Sequence, residues 1–95
     1  MKTAIWKFPL SLETKQIVQM PKGAEILSIQ TQNDIICIWA EVEPLAKKEE
    51  RTFEIFGTGF PLPELNLEEN RRHLGTCQTG NLVFHVYEYF DQIQF

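Results

Sequence analysis

The sequence has no long apolar run, and this absence argues against a membrane protein. No window approaches the roughly 20 consecutive apolar residues of a membrane-spanning helix. The N-terminal stretch MKTAIWKFPL also lacks the apolar core and small-residue cleavage site of a secretory signal. We therefore expect no membrane association and a cytoplasmic location. With 43% hydrophobic and 12% aromatic residues, the 95-residue chain is expected to fold as one β-rich domain spanning residues 1–95 rather than to be disordered.

The sequence is also short of positive charge, cysteine and histidine. Nine Lys and Arg against thirteen Asp and Glu give a net charge of -4, the wrong sign for holding duplex nucleic acid through its phosphates. Cys37 and Cys77 are expected to stay reduced. Together with His73 and His85 they are too scattered along the chain to predict a zinc site. We expect no metal and no cofactor.

What the sequence does contain is alternation of apolar and polar residues, with no sustained 3.6-residue stripe. The clearest segment, AEILSIQTQNDIICIWAEVE, consists of two alternating runs around Asn33-Asp34, two residues that tolerate the positive φ of a hairpin turn. The predicted pairs are Gln32 with Ile35, Thr31 with Ile36, Ile29 with Ile38, Leu27 with Ala40 and Glu25 with Val42. These pairs would face the core, and Trp39 would lie on the reverse side.

A second hairpin is predicted in HLGTCQTGNLVFHVYEYF, with its turn at Thr79-Gly80, and a third joins TAIWKFPL to KQIVQMP through SLET. RTFEIFGTG adds a further strand, which makes about seven. The segments PLAKKEER and PELNLEEN could each form at most a short helical turn. The predicted fold class is therefore all-β, a small antiparallel barrel or sandwich built from hairpins.

Gly57-Thr58-Gly59 ends the predicted strand RTFEIFGTG and has two interpretations. A phosphate-binding loop needs a lysine and a hydroxyl residue after its second glycine, whereas Phe60 and Pro61 follow here. Consecutive backbone N–H groups in a glycine-bearing turn could still form a small anion nest. The alternative is that the glycines are needed only for the bend where the strand stops.

A candidate binding site follows from charge and from flat side chains. Arginine can donate two hydrogen bonds to one phosphate or carboxylate group, and Trp, Tyr and His offer stacking surfaces. No catalytic signature is present, although His85 could act as a base and Cys77 or Thr58 as a nucleophile. We expect no enzyme. The predicted ligand-binding residues are Trp39, Arg51, Gly57, Thr58, Gly59, Arg72, His85 and Tyr87.

Five segments carry a family resemblance, and in order they are AIWKFPL, MPKGAEILSIQTQND, CIWAEV, RTFEIFGTGFPLP and LGTCQTGNLVFHVYE. This set, covering nearly the whole chain, resembles a family of short proteins found mainly in phages and prophages. That family has no settled activity, so it assigns no role to any residue. The resemblance implies an accessory protein that antagonises host defence in the host cytoplasm, usually as a compact oligomer.

The sequence thus predicts a non-enzymatic binding protein that is a homo-oligomer. It would counteract host defence by capturing either a nucleotide-type signalling molecule or a host defence protein. The alternative is a structural or assembly accessory protein that acts only through self-association.

Overall fold

A computed structural model describes residues 2–91, and the strands among them form two antiparallel sheets. One sheet has three strands in the order β1-β4-β3, and the other has four in the order β2-β5-β7-β6. The strands are β1 (Ala4–Pro9), β2 (Lys15–Pro21), β3 (Glu25–Gln32), β4 (Ile35–Val42), β5 (Lys48–Gly57), β6 (Glu69–Thr79) and β7 (Leu82–Asp91). The described residues contain no helix. The predicted all-β class is confirmed, and the two sheets form a sandwich.

The core lies between the sheets because each contributes one apolar face to it. From the three-stranded sheet come Ile29, Ile36, Ile38, Ala40 and Val42, and from the four-stranded sheet Met20, Phe53, Ile55 and Val86. Each of these side chains is at most 7% exposed. Period-2 alternation along β4 and β5 places these residues on the inner faces.

The predicted β3–β4 hairpin is present, and both turn residues, Asn33 and Asp34, have positive φ. Its register is as predicted from the turn as far as Ile29, which pairs with Ile38. The predictions for Leu27 and Glu25 are wrong, because a bulge between Ile26 and Ser28 takes Leu27 out of the pairing and leaves Glu25 opposite Glu41. Leu27 is 48% exposed. A bulge changes which face later residues occupy.

Two further hairpin predictions need correction. The β6–β7 turn lies one residue later than expected, at Gly80-Asn81, because Thr79 still pairs with Leu82 in the ladder. The hairpin expected between β1 and β2 does not form, since β1 pairs with β4 and β2 pairs with β5. The short connection of residues 10–14 carries the chain from one sheet to the other. The two helical turns considered from the sequence are also absent from the described residues.

The two sheets approach each other closely at Gly75 on β6. A Cβ atom built there would lie 3.1 Å from the Cβ and 3.3 Å from the Cγ1 of Ile29 on β3. Each of these two strands carries a bulge near this point, the second lying between His73 and Gly75. Gly75 therefore permits an approach that a larger residue would obstruct.

Candidate functional site

The turn after β5 shows why two glycines stand there. Phe60 N donates a hydrogen bond of 3.1 Å to Gly57 O, and Gly59, the third residue of this turn, has a φ of +92°. This arrangement indicates a type II turn, which needs glycine at that position. Gly57 leaves room for the Phe60 ring, because a Cβ at position 57 would lie 2.7 Å from Cδ2 of that ring. The ring sits directly over the glycine.

The turn does not form the anion nest considered from the sequence. Thr58 N donates a hydrogen bond of 3.0 Å to Val83 O on β7, and Phe60 N is used within the turn itself. Consecutive N–H groups must point together at an anion to bind it. Of the backbone N–H groups of Thr58, Gly59 and Phe60, the first and the third already donate within the protein. An anion at this turn would therefore have to be held by side chains.

His85 lies on the outer face of the four-stranded sheet, away from the core, and both of its ring nitrogens contact threonine hydroxyls. Thr58 Oγ1 lies 2.7 Å from Nε2, and Thr76 Oγ1 lies 3.0 Å from Nδ1. Thr76 Oγ1 also lies 3.4 Å from Nε2 of His73. The His73 ring meets the Tyr87 ring edge-on, with 5.1 Å between centroids. Two strands and the turn thereby hold these side chains in a fixed arrangement.

Beside this network is a hollow of about 230 Å³. We call it the Thr58–His85 hollow. It is lined by Phe56, Gly57, Thr58, Gly59, Phe60, Leu62, His85 and Tyr87. None of these residues is Asp, Glu, Lys or Arg, and four of them carry aromatic rings. The hollow therefore suits an uncharged, largely apolar group that makes one or two hydrogen bonds.

Five of the eight predicted site residues line this hollow, namely Gly57, Thr58, Gly59, His85 and Tyr87. The other three lie elsewhere. Trp39 is half-buried on the outer face of the other sheet, with Lys7 Nζ 6.0 Å from its ring centroid. Arg51 and Arg72 both contact Glu88, so the structure does not bring the expected cations to the hollow.

Arg51 is held on the inner side of the four-stranded sheet. Its Nε and Nη2 donate to the two carboxylate oxygens of Glu88 at 2.7 and 2.8 Å, and its Nη1 donates to Ala24 O at 2.6 Å. The hydrogen bond to Glu88 raises the pKa of Arg51. Glu88 is only 2% exposed. The pair therefore connects the sheet to the β2–β3 connection and is a structural element.

A second ion pair lies on the outer face, where the chain after β5 covers it. Arg71 Nε donates to Glu54 Oε1 at 2.9 Å, and its Nη1 donates to Pro63 O at 3.0 Å. The guanidinium carbon lies 5.4 Å from the Phe56 ring centroid and 6.0 Å from that of Tyr87. Glu54 is 4% exposed even though it points away from the core. This pair fixes the segment that forms one wall of the hollow.

Sequence reasoning missed Phe56, Phe60 and Thr76, although strand parity carries a signal for two of them. Phe56 alternates with Glu54 on the outer side of β5, and Thr76 faces His85 across the β6–β7 ladder. The position of Phe60 has no such signal, because it depends on how the segment after Gly57 turns back.

A larger hollow, of about 520 Å³, opens between β5 and β7 at the other end of these strands. The charged residues that line it are Glu49, Glu50, Arg51, Glu88 and Asp91. Arg51 and Glu88 are paired with each other, and Glu49 accepts a hydrogen bond from Gly23 N. Because this lining is mostly charged, an apolar group would find fewer apolar contacts here than in the Thr58–His85 hollow, which is therefore the better candidate for an uncharged group.

No helix long and apolar enough to cross a membrane occurs in residues 2–91. The same residues contain no group of three or more His, Cys, Asp or Glu side chains that could hold a metal ion. Both cysteines in this range are free thiols, with Cys37 buried and Cys77 half-buried. Burial raises the pKa of the Cys77 thiol.

A family model described as "Domain of unknown function (DUF7352)" matches residues 1–94. No curated protein and no solved structure shows significant similarity to the chain.

Proposed function

Since the chain belongs to the DUF7352 family, which has no assigned function, we propose from the site alone that it is a non-enzymatic binding protein. The Thr58–His85 hollow is its capture site. The target is a partner protein that inserts one apolar or aromatic side chain into the hollow and hydrogen-bonds to its polar edge. The observation that carries the proposal is the composition of the lining, which is rich in aromatic residues and free of Asp, Glu, Lys and Arg. Such depletion of charge is characteristic of the centre of protein–protein interfaces.

A partner protein is better supported than the nucleotide-type ligand that was the other expectation. A nucleotide carries phosphate charge, which proteins usually neutralise with arginine or lysine. Here Arg51 is paired with Glu88 and Arg71 with Glu54, both at hydrogen-bonding distance. The volume of about 230 Å³ is also below the roughly 300 Å³ at which pockets for drug-sized ligands begin.

A binding role also agrees with the surroundings of His85. The hydrogen bonds that its ring makes within the described residues go to the hydroxyls of Thr58 and Thr76. In a hydrolytic triad a carboxylate would stand where Thr76 stands, to orient the imidazole and stabilise its protonated form. A hydroxyl provides no such charge. In the setting that the phage resemblance implies, the captured protein would be a host defence factor in the host cytoplasm.

Site-directed photocrosslinking tests the proposal. A photoreactive residue at position 62, on the wall of the hollow, should crosslink one partner in the cell, while one at position 45 should not. Leu45 is a matched control because it is fully exposed on the β4–β5 connection. The partner, once purified, should bind Thr58→Val and Tyr87→Ala at least about tenfold more weakly than wild type.

Two results would overturn the proposal. One is equal crosslinking from positions 45 and 62, and the other is an affinity that neither substitution changes. A calorimetric panel of adenine and cyclic nucleotides should show no binding. Binding of a nucleotide that Tyr87→Ala weakens would identify the hollow as a small-ligand site instead.

A further inference from the structure

Thr58 supplies a hydroxyl to the edge of the Thr58–His85 hollow, and the partners of this hydroxyl can be followed atom by atom. Its oxygen lies 2.7 Å from Nε2 of His85 and 3.4 Å from Val83 O. A hydroxyl has one proton and two lone pairs, whereas a carbonyl oxygen can only accept. The proton of Thr58 therefore has two acceptors within reach in the protein, while these contacts occupy at most one lone pair of its oxygen.

The neutral His85 ring permits two arrangements of protons, because one ring nitrogen donates and the other accepts. If Nε2 carries the proton, it donates to Thr58, the Thr58 proton turns to Val83 O, and Thr76 donates to Nδ1 across 3.0 Å. If Nδ1 carries the proton, it donates to Thr76, and Thr58 donates to Nε2. In both arrangements the Thr58 proton is used inside the protein, and a lone pair of the Thr58 oxygen is left for a bound group.

We propose that the capture site selects a side chain that donates a hydrogen bond from an aromatic ring, and that tryptophan is this side chain. Thr58 Oγ1 is the acceptor. The rings of Phe56, Phe60 and Tyr87 line the hollow and provide apolar contacts for an indole, whose single polar group, an N–H, can only donate. Because it names the group that the partner inserts, this assignment rests on the proposed function. Tryptophan is also among the residues that most often dominate the binding energy of protein interfaces.

A side chain whose polar group only accepts, such as a carboxylate, fits this edge less well. To bind it, Thr58 would have to withdraw its proton from His85 Nε2 or from Val83 O, and one of these hydrogen bonds would be lost. The hydroxyl of Tyr87 can donate or accept, so it favours neither class of side chain. The N–H of Gly59, the middle amide of the turn, is the group to which an accepting side chain would turn instead.

A bound donor also has an effect beyond the hollow. A hydroxyl that accepts one hydrogen bond donates its own more strongly, so an indole bound to Thr58 favours donation from Thr58 to Nε2 of His85. The His85 proton then resides on Nδ1 and is donated to Thr76 Oγ1, and the Thr76 proton points to Nε2 of His73, 3.4 Å away. All hydrogen bonds of this chain then run in one direction, and the tautomer of His85 reports that a donor is bound.

Binding of three aromatic probes to the purified chain, followed by ¹⁵N NMR, tests the proposal. Indole is the donor probe, benzothiophene has the same shape with sulfur in place of the N–H, and quinoline can only accept. We expect indole to bind at least about fivefold more tightly than either of the other two, because only indole makes the hydrogen bond to Thr58. Saturation with indole should also move the ¹⁵N resonances of His85 to those of the tautomer with its proton on Nδ1.

Two variants of Thr58 assign the preference to its hydroxyl. Thr58→Val lacks the hydroxyl and should bind indole and benzothiophene equally. Thr58→Ser keeps the hydroxyl and should retain the preference for indole. Thr58 is exposed on the turn after β5, so both variants should fold, and circular dichroism checks that they do.

The assignment is overturned if wild type binds indole no more tightly than benzothiophene, if Thr58→Val keeps the preference, or if indole does not bind at the hollow. Binding of quinoline as tight as that of indole would also overturn it and would assign the polar edge to the N–H of Gly59. Any of these results leaves the proposed function standing when a partner crosslinks from position 62 and not from position 45. Failure of the proposed function shows instead as equal crosslinking from the two positions.

Discussion

Alanine substitution at Gly57 should stabilise the fold slightly, whereas alanine at Gly75 should destabilise it. This order is the reverse of what the two contact distances alone would suggest. An added Cβ meets the Phe60 ring at 2.7 Å in the first case and the Ile29 side chain at 3.1 Å in the second. The shorter contact should nevertheless be the less costly one. Phe60 is 71% exposed and can swing away, whereas Ile29 is 7% exposed and is packed in the core between the two sheets.

The magnitudes follow from two effects. Neither Gly57 nor Gly75 has positive φ, so alanine fits both backbones. Alanine also lowers the conformational entropy of the unfolded chain, and this effect alone should stabilise each variant by about 0.4–1 kcal/mol. Overpacking at Gly75 should cost about 1–3 kcal/mol because Ile29 cannot yield. We therefore expect Gly75→Ala to be less stable than Gly57→Ala by about 1–3 kcal/mol.

Urea unfolding followed by tryptophan fluorescence and far-UV circular dichroism gives both free energies. The double change Gly57→Ala with Phe60→Ala should match the stability of Phe60→Ala to within the backbone gain, because no ring is left to displace. If Gly57→Ala loses as much stability as Gly75→Ala, Phe60 is firmly packed and its ring does not move aside as we expect.

Three further results are expected. Ile38→Ala should destabilise the fold by about 2–5 kcal/mol and Trp39→Ala by clearly less, since the first is fully buried and the second half-exposed; the reverse order in urea unfolding would contradict the assignment of the core face. Glu88→Gln should cost about 1.5–3 kcal/mol because the partly buried Arg51 guanidinium loses the carboxylate that accepts two of its hydrogen bonds, and an unchanged midpoint would show that the pair is dispensable. The backbone N–H of Asn66 and the Tyr89 hydroxyl both donate to the carboxylate of Glu69 and lower its pKa from 4.5, and the same hydrogen bond raises the pKa of Tyr89 from 10.0 to about 12. The pair should therefore lose its stabilising effect as the pH rises from 10 to 12 or falls below 4.5, and stability curves of wild type and Tyr89→Phe that run parallel over both ranges would refute this linkage.

Local signals in the sequence predicted the hairpins in which consecutive strands pair with each other. Asn33 and Asp34 specify a turn by their tolerance of positive φ, so the β3–β4 hairpin and its register near the turn could be predicted. The β1–β2 hairpin was wrong because alternation identifies a strand and not its partner. Leu27 was placed on the wrong face because nothing in its local sequence announces a bulge.

The site could be predicted in part for the same reason. His85 and Tyr87 are two residues apart on β7 and therefore lie on the same face of the sheet. Thr58 directly follows β5, which pairs with β7, so strand pairing brings it close to them. Arg51 was assigned to a ligand, yet parity places it with Phe53 on the inner side of β5, where a buried arginine needs an acid. Glu88 has the same parity on β7, and this signal was available in the sequence.

The passage of the chain between sheets through residues 10–14 has a consequence for how the protein folds. β1 joins one sheet and β2 the other, and each pairs with a strand more than 25 residues further along the sequence. The β3–β4 and β6–β7 hairpins can form early because their contacts are local. Docking β1 onto β4 brings β2 towards β5, so completion of one sheet shortens the search for the other. The two sheets should therefore unfold in a single cooperative step, and a cut within residues 10–14 should slow refolding more than it lowers equilibrium stability.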